Sequence, residues 1–207
     1  MKHEWKKTEK NFYFPNVVPE TIVVPKFSFF TIRGEGNPND DNFSECVSVL
    51  FSLSYAIKMG LKSGDVPENY NDYAVYPLEG VWDINEEARQ KPAGKLDKST
   101  LVYQLMIRQP AFITADFAAE MIERTKKLKP HQLLDQVRFE EIEEGNCVHM
   151  LHIGSFDNEP ISFGLMEQFA VEQQLKRKSM THREIYLSDA RKTSPERLRT
   201  ILRFQVE

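Results

Sequence analysis

The sequence predicts an α+β fold built from a duplicated βαββ unit, and three observations carry that prediction. Short aromatic or β-branched runs alternate with stretches of helical spacing. The order strand, glycine turn, helix, strand, strand occurs twice, about 120 residues apart. The composition, 41% hydrophobic and 28% charged over 207 residues, suits a chain able to bury a core.

Residues 1–20 are polar, then aromatic, then punctuated by Pro15 and Pro19. They read as an arm held to the surface by Trp5, Phe12, Tyr13 and Phe14. The first half, residues 21–113, opens on the strand candidate Phe27-Ser28-Phe29-Phe30-Thr31-Ile32. It stops in Gly34-Glu35-Gly36-Asn37-Pro38-Asn39-Asp40, a turn signal. Asn42 with Glu45 has the capping-box spacing, so a helix is expected with Phe43, Cys46, Val47, Leu50, Leu53 and Ile57 on its apolar face and Gly60 at its end. Tyr73–Glu79 and Leu101–Ile107 are the next strand candidates, and Lys91-Pro92-Ala93-Gly94-Lys95 between them reads as a hairpin loop.

An extra helix is expected over residues 114–130. Phe117, Ala118, Met121, Ile122, Thr125 and Leu128 form one face, with Asp116 near the start and lysines near the end, as the helix dipole favours. The second half, residues 131–207, repeats the first. Cys147–Ile153 is a strand candidate, Gly154–Pro160 a turn, and a helix follows with Ile161, Leu165, Met166, Phe169 and Ala170 on one face. Glu184–Ser188 and Leu198–Val206 complete the set, all within a single domain over residues 1–207.

Charge and cysteine content narrow the function classes. A net charge of −4 argues against a nucleic-acid partner, and the basic runs Lys126-Lys127-Leu128-Lys129 and Lys176-Arg177-Lys178 read as solvated helix ends. Cys46 and Cys147 lie far apart with no CxxC spacing, as packed thiols of a reducing compartment do. The N-terminus lacks the apolar core of a secretory signal and no run is long enough to span a membrane, so the expected location is the cytoplasm. His149 and His152, three apart on a strand, face opposite sides and make a poor metal pair. Gly34-x-Gly36 lacks the other residues of a phosphate loop, and no Gly-x-Ser-x-Gly elbow is present. No metal or other cofactor is expected.

Four segments resemble the GyrI-like (gyrase-inhibitor-like) small-molecule-binding proteins over roughly residues 20–207. They are Thr31-Ile32-Arg33-Gly34-Glu35-Gly36-Asn37-Pro38, Pro77-Leu78-Glu79-Gly80-Val81-Trp82, Leu151-His152-Ile153-Gly154-Ser155-Phe156 and Glu184-Ile185-Tyr186-Leu187-Ser188-Asp189. Ser155 departs from the family pattern, where many members have proline, and Arg183 departs where close relatives often have histidine. The resemblance implies paired βαββ units with pseudo-two-fold symmetry, antiparallel sheets and a ligand groove between the halves. Relatives serve as drug-sensing domains of transcription regulators or stand alone. Some bind gyrase, and a free-standing subgroup hydrolyses cyclopropane-bearing alkylating natural products. With residues 1–20 too short for a helix-turn-helix, this chain reads as free-standing.

The candidate site residues follow from both readings. Alternation puts Glu184, Tyr186 and Ser188 on one strand face. By spacing alone Glu184 faces either solvent or a pocket; the resemblance implies the pocket, where a carboxylate among aromatic rings attracts an organic cation. Burial there is expected to raise its pKa, as suits a general acid or base. Tyr186 is expected either to line the same pocket or to pack in the core. Glu79 is either a second acidic group at the groove or a partner of backbone at a strand end. Trp82 is either a stacking platform or a core plug. Tyr55 and Tyr103 point a phenol into the groove or simply pack.

Three functions follow from these residues. One is binding of hydrophobic, often cationic aromatic molecules through Glu184, Tyr186, Trp82, Glu79, Tyr103 and Tyr55. Another is hydrolysis of a strained electrophile for detoxification, with Glu184 activating water and Tyr186 or Tyr55 supporting an oxygen. The last is recognition of a macromolecule such as gyrase.

Overall fold

The computed structural model describes residues 2–60, 70–90 and 96–207 and is of mixed α+β class. In chain order the elements are α1 (Trp5–Thr8), α2 (Lys10–Tyr13), β1 (Glu20–Val24), β2 (Phe27–Glu35), α3 (Asp41–Gly60), β3 (Leu78–Ile84), α4 (Glu86–Arg89), β4 (Leu101–Gln109) and α5 (Ala115–Leu128). There follow β5 (Arg138–Ile142), β6 (Gly145–Ile153), α6 (Glu159–Glu172), β7 (His182–Tyr186) and β8 (Arg199–Gln205). The expected loop Lys91–Lys95 lies outside the described residues. Two compact units are formed. The first holds Met1–Glu4, Phe27–Tyr76 and Trp82–Ile142; the second holds Trp5–Lys26, Pro77–Val81 and Glu143–Glu207.

In the first unit β2 pairs antiparallel with β4 on one side and β5 on the other. Phe30 opposes Ile107 and Ile32 opposes Leu105, while Phe29 and Thr31 oppose Arg108 and Met106. Both faces of β2 are buried at its centre, which explains its unbroken apolar run. Helix α3 packs on β2 and β4, with Cys46, Val49, Leu50, Leu53 and Ile57 buried. It begins at Asp41, so Asn42 lies within it rather than capping it; the Asn42 amide donates to the Tyr103 hydroxyl at 3.4 Å. Gly34 admits the Tyr103 ring, because a Cβ there would sit 2.5 Å from it. Helix α5 matches expectation: Thr114 caps it by accepting from Phe117 N, and Ala118, Met121 and Thr125 are buried against α3 and β5. Leu128, expected on that face, is exposed at the last turn.

The second unit orders its strands β1-β6-β8-β7, all antiparallel. Here β1 is a strand the sequence reading missed. Thr21-Ile22-Val23-Val24 has β-branched residues, but its short length and flanking prolines disguise an edge strand. The missed β5 is equally short and rich in charge. One sheet face presents Val148, Met150, Leu202 and Phe204 to helix α6. That helix buries Glu159, Ser162, Met166 and Ala170, whereas Ile161 and Leu165 of the expected apolar face are exposed. Each stripe has helical spacing, so the apolar pattern admits two answers; the Ser162 hydroxyl lies 2.8 Å from His152 Nδ1 on the inner one. Truncating Met166, at the centre of this contact, would cost about 2–5 kcal/mol.

Two further corrections concern strand positions and charge. The strand expected over Tyr73–Glu79 begins instead at Leu78, after Pro77, so Tyr73, Val75 and Pro77 do not share its faces with Glu79. Within the basic runs Lys176 and Lys178 are exposed, but Arg177 is half-buried. Its guanidinium lies over the Phe204 ring at 4.4 Å and meets Glu167 at 2.6 Å. Both cysteines are buried and free, as expected, and burial together with nearby Glu144 pushes the Cys147 thiol up to about 12. Among the described residues no helix is long and apolar enough to cross a membrane.

Candidate functional site

Strand β7 sends alternate side chains to opposite faces of the second unit's sheet. His182, Glu184 and Tyr186 point to the α6 side, where Glu184 opposes the core residue Leu202 on β8. Arg183 and Ile185 point the other way, and Arg183 opposes Arg203.

On the α6 side, Glu184 is 8% exposed and its Oε1 lies 3.2 Å from His182 Nε2. Glu159, at the start of α6, is 6% exposed and lies close enough to Glu184 for the two carboxyls to act on each other. Two carboxylates in this proximity cannot both ionise freely. Burial first, then the charge and hydrogen bond of Glu184, hold the Glu159 carboxyl well above the ordinary carboxylate range, so Glu159 keeps its proton at neutral pH. Among the described residues no lysine or arginine pairs with either group.

Aromatic rings meet the neighbours of Glu184 on this strand face. Phe163 meets His182 edge-on at 4.7 Å, and Phe156 meets Tyr186 edge-on at 6.1 Å. Phe156 is 38% exposed and Tyr186 is half-buried, so the face of β7 that carries Glu184 also carries accessible aromatic surface. Such a place suits a cation with apolar surface.

The opposite face is also charged but balanced. Arg183 donates to Glu79 Oε2 at 2.6 Å and meets Glu144 at 3.0 Å, and Arg203 donates to Glu144 at 2.9 Å. The Tyr13 hydroxyl reaches Glu79 at 3.5 Å, and Arg203 donates to the Phe12 carbonyl at 3.2 Å, so the N-terminal arm closes this layer. Burial alone would raise Glu144, but the two arginines outweigh it and hold its carboxyl below the usual range. Glu79 thus meets an arginine and a tyrosine rather than strand-end backbone.

The other predicted residues lie in the first unit. Trp82 and Tyr103 are buried with Phe43 in one ring cluster, with centroids 5.2–5.8 Å apart. Tyr55 is 52% exposed and stacks on Phe51. Of the predicted set, Glu184 and Tyr186 share a strand face, Glu79 joins the ion network, and Trp82 with Tyr103 forms the ring cluster.

Sequence reasoning missed Glu159 and His182. A signal for Glu159 existed: it shares the spacing of Ser162, Met166 and Ala170, so a carboxylate begins the buried stripe. The histidines on β6 part as expected. His149 approaches Glu20 at 3.5 Å, while His152 turns to Ser162. No group of residues suited to a metal is found among the described residues.

Known proteins share this architecture. Two solved structures from Listeria innocua, one described as a hydrolase and the other as an uncharacterized conserved protein, are 33% and 34% identical to the chain. Their TM-scores are 0.89 and 0.90, and each match covers 99% of this chain and 100% of the other. The EcmrR C-terminal domain shares the fold alone, at 10% identity and a TM-score of 0.53, with 91% of this chain and 96% of that one covered. No curated protein matches the chain. The GyrI-like small molecule binding domain family matches residues 18–207, and the chain belongs to it.

Proposed function

We propose that the chain binds apolar, aromatic monocations at Glu184. The observation that carries this reading is the buried Glu184–Glu159 pair, which has no arginine or lysine partner among the described residues and shares its face of β7 with His182 and Tyr186, where Phe163 meets His182 and Phe156 meets Tyr186. With Glu159 protonated, Glu184 is the group of the pair that a positive charge on the ligand would meet. Each ring face adds about 0.5–2 kcal/mol of cation–π attraction. Fluorescence anisotropy with a rhodamine-type dye tests the reading. Glu184→Gln keeps shape but removes charge, and is expected to weaken binding by about tenfold or more. Equal affinity in variant and wild type would refute the role of the charge.

A second reading is hydrolysis of a strained electrophile such as an activated cyclopropane. A carboxyl that holds its proton beside a second carboxyl supports it, because ring opening needs an acid and a base in reach of one another. So does the Listeria relative described as a hydrolase, at 33% identity. Glu184 then activates water and Tyr186 supports the developing oxygen charge. Mass spectrometry of a cyclopropane-bearing alkylator separates the readings: ring-opened product forming no faster than in buffer leaves binding alone.

A further inference from the structure

We propose that a cation reaches Glu184 by displacing the proton that His182 holds against it, so that ligand binding and proton release at this histidine are one event. The inference rests on the cation-binding reading and adds the regulation of the same site. Glu184 Oε1 lies 3.2 Å from His182 Nε2, and the other ring nitrogen, Nδ1, lies 3.4 Å from the Met180 carbonyl oxygen. A carbonyl oxygen only accepts, so Nδ1 carries the hydrogen there. A second proton then lies between Nε2 and Oε1, because two bare lone pairs facing each other at that distance repel. The surroundings fix this arrangement. Arg177 donates from Nε to the Ser179 carbonyl and from Nη2 to the Met180 carbonyl, both at 2.8 Å, which holds the turn before β7. The Phe163 ring meets the imidazole edge-on at 4.7 Å.

His182 is the basic side chain in contact with Glu184, and a histidine, unlike an arginine or lysine, can give up its charge near neutral pH. The charged groups around it are few. Its own strand brings Glu184. Helix α6 brings Glu159, which acts on Glu184, and Glu167, which takes up Arg177 at 2.6 Å. Strand β8 brings the apolar Leu202 and Phe204 to this face. The His182 side chain is 23% exposed, so its proton leaves to solvent. Nδ1–H then stays on the Met180 carbonyl, while Nε2 turns a lone pair towards the ligand's charge. An imidazolium left in place would repel that charge. Cation and proton therefore compete for one place, and each weakens the other by the same factor.

The test uses the full chain and rhodamine 6G, a monocation whose charge is constant between about pH 5 and 8, the range in which histidines change charge. By fluorescence anisotropy the affinity is expected to rise with pH, approaching about tenfold per unit at the acidic end and levelling off above it. Calorimetry at about pH 6 in phosphate and in MES, buffers of unlike ionisation heat, should show release of up to about one proton per dye bound. Nitrogen-15 spectra of the imidazole rings should show His182 protonated at both nitrogens in the free chain at the acidic end, and at Nδ1 alone with dye bound. His182→Gln, which keeps a donor for Glu184 but does not titrate, is expected to lose both the proton release and the pH slope. A wild-type affinity independent of pH, dye binding without proton release, or release that persists in His182→Gln overturns the proposal and leaves the cation-binding reading standing. If the wild type binds no dye at any pH, that reading fails and this inference fails with it. If His182→Gln does not fold, the wild-type proton count and the ring spectra decide.

Discussion

The two faces of β7 handle buried charge in opposite ways. Arg183 enters a layer where two arginines meet two glutamates and the N-terminal arm supplies a carbonyl and a phenol. One residue on, Glu184 enters a layer with two carboxylates and no arginine or lysine partner among the described residues, where the conflict is relieved by a retained proton. The first arrangement is electrostatically complete and stabilises the fold only while every member is present. The second has only His182 beside Glu184 and no arginine or lysine partner among the described residues. Buried charge left unbalanced by the protein is where a ligand gains most.

The contrast is broken most severely at Arg183. Arg183→Met leaves Glu79 and Glu144 buried beside each other with less positive charge, and should cost about 3–5 kcal/mol of stability by chemical denaturation. Glu184→Gln, on the adjacent residue, should stay within about 1 kcal/mol of wild type. Similar losses for both would erase the distinction between the faces.

Acid should act chiefly through the balanced face. Burial, and then Arg203, push His149 down to about 3. Its folded pKa is below its unfolded value, so the unfolded chain binds the extra proton first. Stability is therefore lost as pH falls from the ordinary histidine range, about 6.5, towards 3. Glu144, also depressed, adds loss at the lower end of that window. Together they should amount to a few kcal/mol, on the order of one pKa unit per 1.4 kcal/mol. A His149→Gln variant with a flatter melting-temperature profile between those limits is the expected result.

Alkali should act on the other face. Glu159 has a raised folded pKa, so its contribution is complete below the ordinary carboxylate range and declines as pH rises towards the folded value. Glu159→Gln, which never ionises, should gain on wild type by about 1 kcal/mol as pH rises, with the two converging in acid. Thermal melts across pH check this. The smallest effect belongs to Tyr186→Phe, which keeps the ring beside Phe156 and removes the hydroxyl. Cation affinity should change by no more than about threefold.

Much of the candidate site was legible. Alternation along Glu184-Ile185-Tyr186 placed Glu184 and Tyr186 together, and the structure keeps that pairing. The stripe on α6 misled, because Ile161 and Leu165 are as apolar as the residues that are buried, and only the facing sheet chooses between stripes. The start of β3 was misplaced because Tyr73–Tyr76 has strand composition, although Pro77 marks the boundary. The partner of Arg183 was out of reach, since Glu79 lies 104 residues away.

By itself the sequence determined the α+β class, the positions of most long elements and the side of β7 on which Glu184 and Tyr186 lie, because those depend on local periodicity. Only the tertiary structure decided which carboxyl keeps a proton and which arginine finds a partner. Those outcomes depend on desolvation and on distances of a few ångströms between residues remote in the chain, which no local pattern encodes.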